Sequence, residues 1–182
     1  VGGSPVIEHV YLRTRAACFH TVVAVPASDL KLIRALEAMG IPLFAWDGPT
    51  DDVLGRYRAC AAAKQADLVV RVTADCPFVQ PAHIQAVATL GKAHGFARLS
   101  FREGWPDGLD VEAFTAERLA AFTDAEHVTD GCPAVVIANS LSLQRHRWTL
   151  DTRADLAWFK RISEHVNVKP PFHPTVDELL AA

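Results

Sequence analysis

The amino-acid sequence predicts a three-layer α/β domain built around a mostly parallel sheet. Short apolar or β-branched segments alternate with segments of helical periodicity, and this alternation is typical of βαβ crossovers. The chain has 182 residues, of which 50% are hydrophobic. That length suffices to enclose one core, so we expect a single domain over residues 1–182.

The first half of the chain alternates regularly between helix and strand. Ser4 and Pro5 predict the start of a helix that runs to about Ala17. Residues 20–25 are β-branched and predict a strand, and Gly40 predicts the end of the helix that follows it. The same unit then repeats as a strand over residues 42–46, a helix capped by Thr50 or Asp51 that runs to about Lys64, an apolar strand over 67–72, and a helix from Pro81 to near Gly95.

A different pattern marks the second half. Residues 109–114 alternate strictly, which predicts a half-exposed, antiparallel strand with Asp110 and Glu112 on one side. The segment 130–143 fits either a helix or a strand, and both interpretations stay open. Two capping boxes predict the starts of two C-terminal helices, Thr152 with Asp155 and Thr175 with Glu178.

Composition excludes several classes of protein. The formal net charge is −3 and the chain has no run of Lys and Arg, so we do not expect a nucleic-acid partner. It also lacks an apolar stretch of membrane-spanning length, and charged residues interrupt its first twenty positions, so we expect a cytoplasmic protein without a membrane partner. The four cysteines are widely spaced, which favours reduced thiols over a zinc site.

Two aspartates follow predicted strands at the edge where an open α/β sheet binds its ligands. Asp75 comes directly after the strand over 67–72, and Asp151 follows a short predicted strand that begins at Arg147. Asp75 could instead accept hydrogen bonds within a turn, and Asp151 could cap a helix, although Thr152 can serve as that cap. Two carboxylates at neighbouring strand ends suit Mg²⁺, which binds one or two protein carboxylates together with phosphate oxygens.

Six sequence blocks, in this order, resemble one enzyme family. The blocks are residues 3–10 (GSPVIEHV), 51–57 (DDVLGRY), 70–77 (VRVTADCP), 105–112 (WPDGLDVE), 126–129 (EHVT) and 147–152 (RWTLDT). Together they resemble the cytidylyltransferases of the spore coat polysaccharide biosynthesis protein F group, which are relatives of the ketodeoxyoctonate and acylneuraminate cytidylyltransferases.

The resemblance implies a nucleotide-diphosphosugar transferase fold, which is GT-A-like and Rossmann-like, and a set of site residues. Asp75 and Asp151 would be the catalytic, metal-binding carboxylates for Mg²⁺. Nucleotide contacts would come from Asp52, Arg56, Arg71 and Thr73, and acceptor contacts from Asp107, Asp110, Glu112, His127 and Arg147. For Arg56 and His127, an ordinary place on a helix surface stays an open alternative.

The implied reaction is attack by a sugar hydroxyl or sugar phosphate on the α-phosphate of CTP or another nucleoside triphosphate, with release of pyrophosphate. A homodimer is also expected. The family's glycine-rich basic loop, which grips the triphosphate, would precede Gly3, so we expect the domain to be N-terminally incomplete. The alternative is a catalytically silent domain that binds nucleotide sugars or docks a partner. A metal-dependent glycosyltransferase fits less well, because Asp75 is not part of an Asp-x-Asp pair.

Overall fold

The computed structural model describes residues 4–17, 20–122, 135–168 and 174–181. Along the chain its helices and strands are α1 (Val6–Ala17), β1 (Val23–Pro26), α2 (Leu30–Ala38), β2 (Leu43–Trp46), α3 (Val53–Ala63), β3 (Leu68–Arg71), α4 (Pro81–His94), β4 (Phe96–Leu99), a 3₁₀ turn (Phe101–Glu103), β5 (Val111–Thr115), α5 (Ala116–Ala121), β6 (Val135–Val136), α6 (Arg153–His165) and α7 (Val176–Ala181).

The strands form two hydrogen-bonded groups. β1 and β2 pair in parallel, and the other four strands lie in the order β3-β5-β4-β6. β5 runs antiparallel to both β3 and β4, while β4 and β6 are parallel. The predicted α/β fold and the antiparallel direction of β5 are therefore confirmed. The mostly parallel arrangement is confirmed as well, because the described strands pair as a parallel two-stranded sheet and a four-stranded sheet in which β5 runs against the other three strands.

Helices cover both faces of the four-stranded sheet. Val111 and Ala113 of β5 belong to the core cluster that includes α4 and α6. Phe114 faces the opposite way and packs with Phe96 and with residues of α3 and α5. Alternate residues of β5 thus enter two separate apolar layers, which gives the three-layer arrangement that the sequence predicted.

The prediction that β5 is half-exposed was wrong. Val111, Ala113 and Phe114 are fully buried, and even Glu112 is only 9% exposed. The reason is its position in the sheet, since β5 is hydrogen-bonded on both edges and covered on both faces. The alternation of polar and apolar residues marked two different environments, but neither of them is bulk solvent.

Helix ends agree with the local signals to within a few residues. Gly95 ends α4 with a positive φ of 85°, a conformation that glycine adopts without steric cost. α3 is capped by Asp52, not by Thr50 or Asp51.

Within the open segment 130–143, residues 135 and 136 form a short strand and 137–143 are not helical, while 130–134 lie outside the described residues. No helix in the described ranges is both long and apolar enough to cross a membrane.

Candidate active site

Asp75 lies in a turn beyond the C-terminal end of β3. The N–H of Cys76 donates to the carbonyl oxygen of Thr73 at 3.3 Å, and the Thr73 Oγ1 and Cys76 Sγ atoms lie 3.1 Å apart. These two contacts close a tight loop around Asp75. The loop holds its side chain at the carboxyl edge of the sheet, where α/β folds bind ligands.

A cavity of about 240 Å³ opens beside this turn. The residues that line it are Arg71, Thr73, Asp75, Cys76, Leu99, Ser100, Asp107, Asp110, Glu112 and Thr149. The structure thus brings six of the predicted site residues to one place, although their individual roles stay predictions. Four of the lining side chains are carboxylates, so the cavity suits ligands with cationic or hydrogen-bond-donating groups.

Arg71 and Glu112 form an ion pair on the cavity wall. Arg71 Nη1 donates to Glu112 Oε2 at 2.7 Å, and both side chains are largely buried. The Arg71 guanidinium also lies 5.9 Å from the centre of the Tyr57 ring. Burial lowers the pKa of Arg71, but the charges of Tyr57 and Glu112 outweigh it and raise that pKa overall. The pair therefore keeps Arg71 cationic and holds Glu112 in a fixed orientation.

The segment before Asp151 is not the predicted strand. Arg147 makes only an isolated bridge with Asp107, and the N–H of Trp148 donates to the Asp107 carbonyl oxygen at 2.6 Å. The N–H of Leu150 then donates to the carbonyl oxygen of Asp75 at 3.0 Å. The chain is too irregular here for a strand, but these bonds carry Asp151 to the edge where Asp75 lies.

Arg147 contacts three carboxylates at this edge. It pairs with Asp151, with Asp155 at 2.6 Å and with Asp107 at 3.7 Å. Burial raises the pKa of Asp107, Arg147 opposes that rise, and the charges of Asp151 and Asp75 add to it. Asp107 therefore lies within electrostatic reach of both predicted metal-binding aspartates.

The donor set at this edge fits Mg²⁺, because Asp75 and Asp151 offer carboxylate oxygens, the ligands this ion prefers. Asp151 itself does not line the cavity; its side chain is 51% exposed and paired with Arg147. Among the described residues, no three His, Cys, Asp or Glu side chains converge as a metal-binding group. Magnesium usually takes one or two protein carboxylates, and Mg²⁺ binding by Asp75 and Asp151 stays a prediction.

Thr152 leaves Asp151 free of a capping role. Thr152 and Asp155 form a complete capping box at the start of α6. Hydrogen bonds from Arg147 and Thr152 outweigh desolvation of Asp155 and lower its pKa to about 2. This box fixes the first turn of α6, and Asp151 precedes it with its side chain paired with Arg147 rather than used as the cap.

Two of the predicted nucleotide-binding residues, Asp52 and Arg56, do not line the cavity. Asp52 caps α3, and its Oδ1 accepts from the N–H of Gly55 at 2.7 Å. Arg56 donates to the carbonyl oxygen of Thr50 at 3.1 Å. His127 lies outside the described residues. Nucleotide contacts by Asp52 and Arg56, and an acceptor contact by His127, stay predictions.

Cys76 is not an activated nucleophile. Its side chain is buried at 2% exposure, and burial together with the neighbouring charge of Asp75 raises the pKa of its thiol well above the ordinary value. Because the thiolate is the reactive form, the thiol is inert at neutral pH.

Thr149 is one of two polar cavity residues, with Ser100, that sequence reasoning missed. It lines the cavity, yet the sequence argument used only its neighbours Arg147 and Asp151. These three polar residues occupy alternate positions, and in an extended segment alternate residues face the same side. That alternation, interrupted by the apolar Trp148 and Leu150, was the signal that could have found it.

Comparison with known families supplies the identity of this fold. The family model of the MobA-like NTP transferase domain matches residues 1–159. The chain belongs to this family. The name of this family refers to nucleoside triphosphates.

Curated relatives of this MobA-like domain are cytidylyltransferases. It is 30% identical over 109 residues to the 8-amino-3,8-dideoxy-manno-octulosonate cytidylyltransferase of Shewanella loihica, a match that covers 56% of this chain and 44% of the relative. It is 33% identical over 89 residues to the 3-deoxy-manno-octulosonate cytidylyltransferase of Geobacter metallireducens, covering 48% and 35%. The matches thus span less than half of these two relatives.

Solved structures agree on the fold. A cytidylyltransferase from Leptospira borgpetersenii superposes with a TM-score of 0.82 at 19% identity, covering 98% of this chain and 82% of that one. A CMP:2-keto-3-deoxy-manno-octonic acid synthetase in complex with CTP gives a TM-score of 0.64 at 14% identity, covering 89% and 88%. The nucleotidyltransferase fold that the resemblance implied is therefore confirmed.

Proposed function

We propose that this domain transfers a cytidylyl group from CTP to a sugar or sugar phosphate and releases pyrophosphate. The observation that carries the proposal is the cavity at the end of β3, where Asp75 and three further carboxylates meet in a MobA-like NTP transferase domain. The cytidylyltransferase relatives support cytosine as the base. We further propose that the reaction serves surface polysaccharide or glycan biosynthesis in the cytoplasm, as in the spore coat group that the sequence blocks resemble.

The chain's own residues would position the reactants. Asp75 and Asp151 would hold Mg²⁺. When bound, the ion would act as a Lewis acid and stabilise the charge that builds on the phosphate oxygens. Arg147, already within reach of Asp107 and Asp151, would orient these carboxylates and keep them ionised. The Arg71–Glu112 pair would fix one wall of the cavity, so that the acceptor oxygen approaches the α-phosphate in line.

The test is an assay of pyrophosphate release by the full-length protein that contains this sequence. It is incubated with Mg²⁺, one of four nucleoside triphosphates and a panel of sugars and sugar phosphates. We expect release that depends on both acceptor and Mg²⁺, is strongest with CTP, and is lost when the metal is chelated. If no combination of triphosphate and acceptor gave pyrophosphate release, the proposal would be rejected and the silent domain favoured. The observation that supports the silent domain is the pairing of Asp151 with Arg147 outside the cavity.

Substitution of the predicted metal ligands sharpens this test. Asp75→Ala and Asp151→Ala should each lower Mg²⁺-dependent turnover by a factor of about 10² or more, because transition-state charge would lose its stabilisation, while both proteins stay folded. Asp67→Ala is the matched control, since Asp67 is an exposed aspartate just before β3, at the opposite end of that strand from Asp75. Unchanged turnover in either ligand variant would contradict the assigned metal role.

The expected homodimer is also a proposal. Light scattering of the purified protein over a range of concentrations measures it directly. A mass of one chain at all concentrations would reject it.

A further inference from the structure

The charge balance of the cavity distinguishes between classes of acceptor. Among the described lining residues, three carboxylates besides the predicted metal ligand Asp75, namely Asp107, Asp110 and Glu112, accompany a single cation, Arg71. The names of the matched relatives specify octulosonates, which are sugar acids. An acceptor with its own carboxylate would meet like charges on most sides of this cavity, and such contacts are strongly unfavourable.

The described cations near the cavity are already engaged. Arg71 is paired with Glu112 at 2.7 Å, so a carboxylate placed against Arg71 would also lie beside Glu112. Arg147 is paired with Asp151 and Asp155. The nearby Arg98 binds Glu103 at 2.8 Å. A sugar acid bound at one of these cations would therefore place its own carboxylate beside the carboxylate that is already paired there, which is unfavourable.

Thr149 points independently to a hydroxyl-bearing ligand. Thr149 lines the cavity and is 7% exposed, and its Oγ1 atom is buried without a hydrogen-bond partner among the residues that the structure describes. A buried hydroxyl without a partner costs free energy unless a ligand or water satisfies it. Arg71 Nε is a second such buried group in a lining residue, so the wall offers donors as well as carboxylate acceptors.

We infer that the part of the acceptor in this cavity is a polyhydroxylated sugar body that is neutral or carries an amino group, without a carboxylate, and that Thr149 hydrogen-bonds one of its hydroxyls. Sugar hydroxyls both donate and accept, which matches a wall that mixes carboxylates with Thr149. An amino group would add attraction to Asp110 and Glu112. The volume of about 240 Å³ is below the ~300–1,000 Å³ of sites for drug-sized ligands and suits a single sugar ring. This inference rests on the proposed nucleotidyl transfer.

The test compares neutral, acidic and amino forms of the same sugars as acceptors. The 1-phosphates of glucose, galactose and mannose are each paired with the corresponding uronic acid 1-phosphate and with the 2-amino sugar 1-phosphate, and 3-deoxy-manno-octulosonate is added as a sugar acid. Binding to the full-length protein with Mg²⁺ and a non-hydrolysable CTP analogue is measured by calorimetry. In the set that binds best, we expect the neutral or amino member to bind about tenfold or more tightly than the acid.

Variants show whether the named residues cause this preference. Glu112→Gln keeps the shape of the side chain but removes its charge and releases Arg71, so the acid should gain affinity and the ratio of neutral to acid should fall toward one. Thr149→Val should weaken binding of the neutral sugar about threefold to tenfold, the value of one hydrogen bond, without changing the affinity for the CTP analogue. Thr149→Ser retains the hydroxyl and should restore binding.

The outcomes separate this inference from the proposed function. Equal or tighter binding of the acids, tightest binding of the octulosonate, or binding of no acceptor overturns the inference. An unchanged neutral-to-acid ratio in Glu112→Gln also overturns it. Pyrophosphate release with the sugar acids preferred would leave nucleotidyl transfer standing and reject only the acceptor class. Binding with the expected preference but no pyrophosphate release would reject the transfer reaction and leave the charge selectivity intact.

Discussion

At the scale of single residues, Asp107 links the parts of the candidate site. Its backbone holds the Arg147–Trp148 segment through the hydrogen bonds to His146 and Trp148, and its side chain lines the cavity. Its carboxylate lies close enough to Asp75 and Asp151 for both charges to act on its pKa. The charges of both predicted metal ligands therefore act on Asp107.

The raised pKa of Asp107 predicts a specific pH dependence of stability. Burial first, and then the charges of Asp151 and Asp75, raise the pKa of this carboxyl above 3.8. The folded protein then keeps a proton that the unfolded chain has already lost. The free energy of unfolding consequently falls as the pH rises from about 3.8 through the raised value, and it stays lowered above that value.

Asp107→Asn cannot titrate and should lack this decrease. The free energy of unfolding of this variant, minus that of the native protein, should therefore be larger above the raised pKa than below pH 3.8. Urea denaturation of both proteins between pH 3 and pH 7 measures the difference. A difference that does not vary with pH would show that the native carboxyl titrates at its ordinary value. We expect a modest effect, because the Asp107 side chain is 35% exposed.

At the scale of elements, helix α6 connects the site to the core. Its first turn is fixed by Thr152 and Asp155, and Asp155 Oδ2 also accepts from the N–H of Asp151 at 3.0 Å. Farther along the same helix, Phe159 and Ile162 are buried in the main core cluster. The position of Asp151 therefore depends on a helix that the core holds in place.

Loss of the α6 cap should reduce both stability and catalysis. Thr152→Ala removes the Oγ1 acceptor for the N–H of Asp155, which should destabilise the protein by about 1 kcal/mol. Turnover should also fall, since Asp151 loses a fixed neighbour. Thr152→Ser retains the acceptor and serves as the control. Equal stability of the alanine and serine variants in chemical denaturation would contradict the role of the cap.

Sequence reasoning was accurate for such local features. Both predicted capping boxes are present in the structure, at Thr152 with Asp155 and at Thr175 with Glu178, and α4 begins at Pro81 as predicted. These signals act between residues three or four positions apart, so the sequence contains all that determines them. β4 and α5 were missed because each is short and has no loop before it; β4 follows Gly95 directly and α5 follows Thr115 directly.

At the scale of the whole molecule, the close approach of α4 to β5 decides how the sheet is covered. A Cβ atom at Gly91 would lie 2.6 Å from the Cβ and 2.7 Å from the carbonyl oxygen of Ala113. Both partners belong to rigid elements, so neither can move away cheaply. The absence of a side chain at Gly91 is therefore what allows this helix to pack directly on the central strand.

Gly91→Ala should destabilise the protein even though alanine favours a helix. The gain in helix propensity is about 1 kcal/mol, whereas an overpacked core costs about 1–3 kcal/mol, so we expect a net loss measurable by thermal or chemical denaturation. Gln85→Ala, at an exposed position of the same helix, is the control and should be neutral or slightly stabilising. A Gly91→Ala protein as stable as this control would show that α4 can shift away from β5.

The sequence alone determined the alternation of helix and strand, the caps, the family blocks and the side of β5 on which Asp110 and Glu112 lie. These features depend on neighbouring residues or on side-chain types in a fixed order. Only the tertiary structure decided that β5 is buried on both faces, that Asp107 and Thr149 share a cavity with Asp75, and that Arg147 pairs with Asp107. Those facts depend on contacts between residues tens of positions apart, and packing of the whole chain, rather than any local preference, selects them.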